Sequence, residues 1–201
     1  MKETIIIIDG CDYIKSESRF LQKLILIVYR MFNVVPLYSN EAFEWAKRLE
    51  KKEREVIFFD WSHSFWPSEV TASSEALKDL IAKKGPVRIV SFSMGSQLAI
   101  NAARASKNVL EILSVSGVFR PHHIDAPFVE VRSSTDYFGN FWRDVFWVFS
   151  FHKKMHREIF TLHGIRHDEF HRDIPIQDGE FRGRKISWVI DYLLERSARV
   201  C

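Results

Sequence analysis

The sequence predicts an α/β fold, a three-layer α/β/α sandwich on a mainly parallel sheet of about six strands. Three observations lead there. Short apolar runs rich in β-branched residues recur along the chain, the pattern of strands buried on both faces. Segments with helical period or helix end signals separate them. No internal repeat or low-complexity linker interrupts the alternation, so residues 1–201 read as one domain; any small cap would come from residues 12–40 or from the aromatic stretch Tyr137 to Phe151.

Thr4 to Asp9 is the first buried strand. A helix is expected from about Glu17 to Met31. A second starts at Asn40, a suitable N-cap, and runs into the charged stretch Glu50 to Glu55, read as its solvated end. Val56-Ile57-Phe58-Phe59-Asp60 forms the next strand. Ser73 to Lys84 reads as a helix with serines at its start, two lysines in its last turn and a Gly85-Pro86 stop. The strand Val87 to Phe92, the helix Met94 to Ala105 and the strand Val109 to Val115 follow, and Pro127 opens a strand through Phe128, Val129 and Val131. An aromatic, helix-like stretch covers Phe138 to His156, and Ile159 to Leu162 is a short strand. The last helix carries Ile186, Val189, Ile190, Leu193 and Leu194, spaced i, i+3, i+4, i+7 and i+8.

Composition narrows the classes of function. Apolar residues make up 46% of the chain, a globular rather than a disordered balance. The 17 Phe and 6 Trp are enough for an apolar pocket as well as a core. Cys11 and Cys201 are too few for a disulfide framework and suit a reducing compartment, so a cytoplasmic protein is expected. A net charge of +3 carries no nucleic-acid signature. The longest greasy stretch, Leu21 to Tyr38, is broken by Lys23, Arg30, Asn33 and Pro36, whereas a membrane span needs about twenty mostly apolar residues. The aromatic stretch before His152-Lys153-Lys154 invites peripheral membrane contact, but packing on the sheet as core and pocket wall is the favoured reading. Neither the adjacent pair His122-His123 nor the distant Cys11 and Cys201 gives metal-ligand spacing. Asp9-Gly10-Cys11-Asp12 lacks the second and third glycines of a dinucleotide loop, and no cofactor is expected.

The window from Pro86 to Ile100 carries the chemistry. A β-branched run feeds Ser91-Phe92-Ser93-Met94-Gly95, and that turn feeds a small-residue helix. A serine on a sharp strand-to-helix turn projects above the sheet, beside a helix N-terminus. The residues two before and two after it must be small, because strand and helix backbones approach closely there. Two later windows end strands in the same way. Pro127 to Asp136 places Asp136 just past a strand, and Phe160-Thr161-Leu162-His163-Gly164-Ile165-Arg166-His167 places His167 beyond the next.

Serine, acid and histidine in that order, each at a strand end, resemble the α/β-hydrolase superfamily. The resemblance implies Ser93 as nucleophile, Asp136 as acid and His167 as base, with His163 and His171 as competitors for the base. It also implies an oxyanion hole from the backbone N–H groups of Met94 and Cys11. Relatives usually carry two further strands before the oxyanion strand, so a trimmed, compact sheet is expected. A serine hydroxyl is a weak nucleophile at neutral pH and needs an imidazole to take its proton. The expected function is therefore a serine hydrolase of a carboxylic ester or thioester, acting through an acyl-enzyme on a small-molecule or carrier-bound acyl substrate. The alternative is a non-catalytic hydrolase-like binding protein, since fold alone does not confer activity.

Overall fold

The computed structural model describes residues 2–10, 46–51, 53–62, 67–148, 155–170 and 172–198. Six strands form one sheet: β1 (Glu3–Ile8), β2 (Arg54–Phe59), β3 (Val87–Phe92), β4 (Val109–Val115), β5 (Phe128–Ser133) and β6 (Glu158–Leu162). Their spatial order is β2-β1-β3-β4-β5-β6, and every neighbouring pair is parallel. The described helices are α1 (Ala46–Leu49), α2 (Pro67–Lys84), α3 (Gly95–Ala105), α4 (Tyr137–Val148) and α5 (Ile186–Ala198). The α/β class and the strand number agree with the reading of the sequence.

Strand periodicity divides the core in two. Ile5, Ile7, Val90, Leu113, Val115 and Val131 face the layer that contains α1 and α5. Ile6, Ile8, Ile89, Ile112 and Phe128 face the layer of α2 and α3. Both faces are covered, so these strands are apolar throughout rather than alternating. On α5, Ile186, Val189, Ile190, Leu193 and Leu194 are all buried, as their helical spacing requires.

Two local expectations are corrected. The charged run 50–55 is not a solvated helix end: α1 stops at Leu49, and Arg54 and Glu55 open β2. Arg54 is buried at the strand's start because its guanidinium donates to Glu3 at 2.8 Å and to Asp191 of α5 at 2.5 Å. The helix expected from Ser73 begins earlier, at Pro67. Proline suits a first helical turn, where its missing N–H would have had no intrahelical partner. Residues 12–40 as a source of a cap, with the expected Glu17–Met31 helix, lie outside the described residues. No helix among the described residues is long and apolar enough to cross a membrane.

Candidate active site

The serine turn is built by close approach. Ser93 has φ 49°, in the left-handed region that a non-glycine residue rarely adopts. Its amide donates to Val115 O at 3.2 Å, and its carbonyl accepts from Val118 N at 2.9 Å, so the turn is tied to the end of β4. A Cβ on Gly95 would overlap the carbonyl oxygen of Asp9 and lie 2.7 Å from that of Ile8. Only glycine fits where α3 begins against the end of β1. Ser91, two residues before Ser93, is small enough, and its hydroxyl is provided for. Its Oγ lies 3.1 Å from Ser96 Oγ, which lies 2.8 Å from Ser114 Oγ, so three buried hydroxyls satisfy one another beneath the turn.

The two later windows converge on this turn. His167 Nε2 lies 3.2 Å from Ser93 Oγ, while Nδ1 lies 3.0 Å and 3.2 Å from the two oxygens of Asp136. All three side chains are buried. Asp136 follows β5 and leads into α4, and its Oδ1 accepts the Gly139 amide at 2.8 Å. His167 sits in a 3-10 turn, His167–Glu169. Glu169 accepts the Arg166 amide at 2.8 Å, so the acidic residue after the histidine caps the turn that presents it. Phe92 and Phe138 pack on the imidazole, each with ring centroids 4.9 Å away.

The competing histidines differ in placement. His163 Nδ1 lies 2.9 Å from Ser134 Oγ, and its backbone pairs with Asp178 at the sheet margin. His171 lies outside the described residues, as does Cys11. Gly10, just before Cys11, does border the serine: a Cβ there would stand 2.9 Å from Ser93 Cβ. The Gly10 amide donates to Asp9 Oδ1 at 2.6 Å. Met94 stands at the N-cap of α3 in helical conformation, directly after Ser93.

Ser116 joins the group without having been picked out from the sequence. It lies just past β4 with φ 48°, its hydroxyl donates to Asp136 Oδ2, and its Oγ lies 3.0 Å from His167 Nδ1. A serine at a strand end is ordinary, and only the positive φ and the convergence in space distinguish it.

A second buried charge group lies on β5. The Glu130 carboxylate accepts from Arg132 at 2.6 and 3.0 Å and from Arg157 at 2.5 Å, with Arg143 of α4 at 3.6 Å. Burial, and then Arg132, pull the Arg143 guanidinium below its ordinary value, while Glu130 opposes them. No three His, Cys, Asp or Glu side chains among the described residues converge as a metal site would need.

No protein-family model matches the chain, and no curated protein matches it in sequence. Solved structures do resemble it. An α/β hydrolase enzyme from the metagenome of sediments of the Mar Chica lagoon, Morocco, superposes with a TM-score of 0.59 at 11% identity, over 98% of this chain and 90% of that one. An acetyl ester-xyloside bifunctional hydrolase from Caldicellulosiruptor lactoaceticus superposes with a TM-score of 0.51 at 11% identity, over 98% and 83%. An uncharacterised protein from Bacillus cereus gives 0.52 at 13% identity, with this chain spanning only 59% of its length. With its six parallel strands in this order and its serine turn between β3 and α3, the chain has the α/β-hydrolase fold.

Proposed function

We propose that the protein is a serine hydrolase that cleaves a carboxylic ester or thioester. The single observation carrying this reading is the relay in space: Ser93 Oγ, His167 and Asp136 in series at 3.2 and 3.0 Å. An unliganded hydrolase often holds its serine–imidazole contact slightly long, so this geometry is compatible with a competent base.

In the proposed reaction Ser93 Oγ attacks the substrate carbonyl carbon while His167 Nε2 takes its proton. The Asp136 carboxylate holds Nδ1 protonated and stabilises the imidazolium. The tetrahedral oxyanion is met by the Met94 amide at the head of α3 and by the amide of Cys11. The carbon–oxygen or carbon–sulfur bond then breaks, and the leaving alcohol or thiol takes the proton from Nε2. Water, deprotonated by the same nitrogen, attacks the acyl-serine; the acid leaves and Ser93 recovers its proton. The substrate is a small or carrier-bound acyl compound, and the similarity to an acetyl ester hydrolase supports the ester class. The scarcity of cysteine supports a cytoplasmic location.

A fluorophosphonate probe reads an activated serine directly. The protein is expected to be labelled, and Ser93→Ala to abolish labelling while leaving the circular dichroism melt intact. Hydrolysis of p-nitrophenyl esters and acyl-thioesters of graded length then identifies the acyl and leaving groups. A folded wild-type protein that neither labels nor turns over any of these would overturn the reading in favour of a non-catalytic binding protein.

A further inference from the structure

We infer that Ser116 is a positioning residue of this site, its hydroxyl joining the acid to the imidazole and fixing which ring nitrogen carries the proton; the inference rests on the hydrolase reading above. Its side chain is buried, and its Oγ touches both partners, donating to Asp136 Oδ2 and standing 3.0 Å from His167 Nδ1.

The donor and acceptor count makes the argument. A hydroxyl has one proton to give and two lone pairs to offer, whereas an ionised carboxylate can only accept. The Ser116 proton therefore goes to Asp136, and the Ser116 lone pairs face Nδ1. All three oxygen neighbours of Nδ1, two from Asp136 and one from Ser116, are then acceptors, so Nδ1 carries the hydrogen and Nε2 is bare toward Ser93. Asp136 alone would favour the same tautomer. Ser116 adds a second accepting side chain at Nδ1 and, with the Gly139 amide on the other oxygen, stops the carboxylate from rotating about its last bond.

The backbone points the same way. Ser116 holds φ 48°, a conformation that glycine takes without strain and serine does not. Its amide donates to Val131 O at 2.8 Å, which fixes the residue between β4 and β5. Glycine would satisfy that backbone at least as well, so the hydroxyl is what serine supplies here. The fit around it is close: a Cβ on Gly139 would lie 2.9 Å from Ser116 Oγ.

Two variants separate the hydroxyl from the backbone. Ser116→Gly removes the hydroxyl and relieves the strain, whereas Ser116→Ala removes the hydroxyl and keeps the strain. Both are expected to lower kcat for p-nitrophenyl acetate, and the rate of fluorophosphonate labelling, by about tenfold or more with KM within about twofold. Their Tm values are expected to diverge, with glycine the more stable. Because Ser116 and Asp136 share the work of holding Nδ1, the factor lost in Ser116→Gly is expected to change in an Asp136→Ala background. A purely structural role would cost the same factor in both backgrounds, and that result overturns the inference. Wild-type rates in Ser116→Gly overturn it as well. The low-field Nδ1–H proton resonance of His167 gives a readout that needs no turnover. It is expected to shift in Ser116→Gly; an unchanged resonance overturns the inference even if the wild-type protein proves inactive, which would sink the hydrolase reading separately.

Discussion

At the residue scale, the assignment of His167 over its neighbours makes the sharpest forecast. His167→Gln is expected to cost several orders of magnitude in turnover, since its Nε2 stands 3.2 Å from Ser93 Oγ and its Nδ1 faces Asp136. His163→Gln, which severs a contact to Ser134 away from Ser93, is expected to cost little beyond stability. Steady-state kinetics on the best ester substrate checks both, and a severe loss in His163→Gln would contradict the arrangement. Asp136→Asn keeps the shape but can present an N–H to Nδ1, and a loss of up to about ten-thousandfold is expected by analogy with serine proteases. Ser93, Asp136 and His167 were legible because each follows a strand whose apolar run marks it. Ser116 was not, because a serine's hydrogen-bond partners lie far off in sequence: Asp136 and His167 reach it only across the β4–β5–β6 edge. Nor was the capping of the His167 turn by Glu169, which depends on the Arg166 amide reaching its carboxylate.

At the element scale, the start of α3 is the least forgiving position. Gly95→Val would drive branched methyls into the carbonyls of Ile8 and Asp9. A destabilisation of about 1–3 kcal/mol is expected, read as a lower denaturant midpoint. An unchanged midpoint would mean that α3 and β1 do not approach as described. A different forecast belongs to the join between α5 and the start of β2. Burial tends to raise the Asp191 carboxyl, but hydrogen bonds from Lys51 and Arg54 outweigh it and hold the group below its ordinary value. A depressed carboxylate stabilises the fold above its unfolded pKa, and that contribution is lost as pH falls through the folded value. Asp191→Asn is therefore expected to lower Tm at neutral pH. Its Tm should also fall less steeply than wild type on acidification below about pH 4. Thermal melts across pH test this, and parallel curves would refute it. This join is also where the sequence reading failed, since a run of charges looks solvated until its partners on β1 and α5 are known.

At the scale of the molecule, the alternation of buried strands and helices was enough to predict the α/β class and a sheet of about six strands. The order in which those strands lie side by side was not legible, because parallel pairing joins segments far apart in sequence. The aromatic stretch divided in a way that periodicity did not reveal. On α4, Phe138 is buried against His167, while Tyr137 and Phe141 are exposed. Because Ser93, Asp136 and His167 come from three strand ends in one sheet, their alignment depends on the whole sheet. Loss of fluorophosphonate labelling and loss of secondary structure are thus expected at the same denaturant concentration. Labelling that disappears well before the circular dichroism signal would show that the β5–β6 edge comes apart first.

The parallel order β2-β1-β3-β4-β5-β6 also sets a sequence of events in time. β1 cannot be completed on its inner side until β3 is available, some eighty residues later, so the sheet centre closes a long loop, and folding of this kind is slow. The serine turn follows β3 directly, but the carboxylate arrives with the end of β5 and the imidazole only after β6. A chain emerging from the ribosome therefore holds a serine with no base beside it until its final third has been made and docked. If the protein is the serine hydrolase proposed above, nascent or half-folded molecules are expected to be chemically quiet toward acyl compounds, with reactivity switching on at the last strand addition.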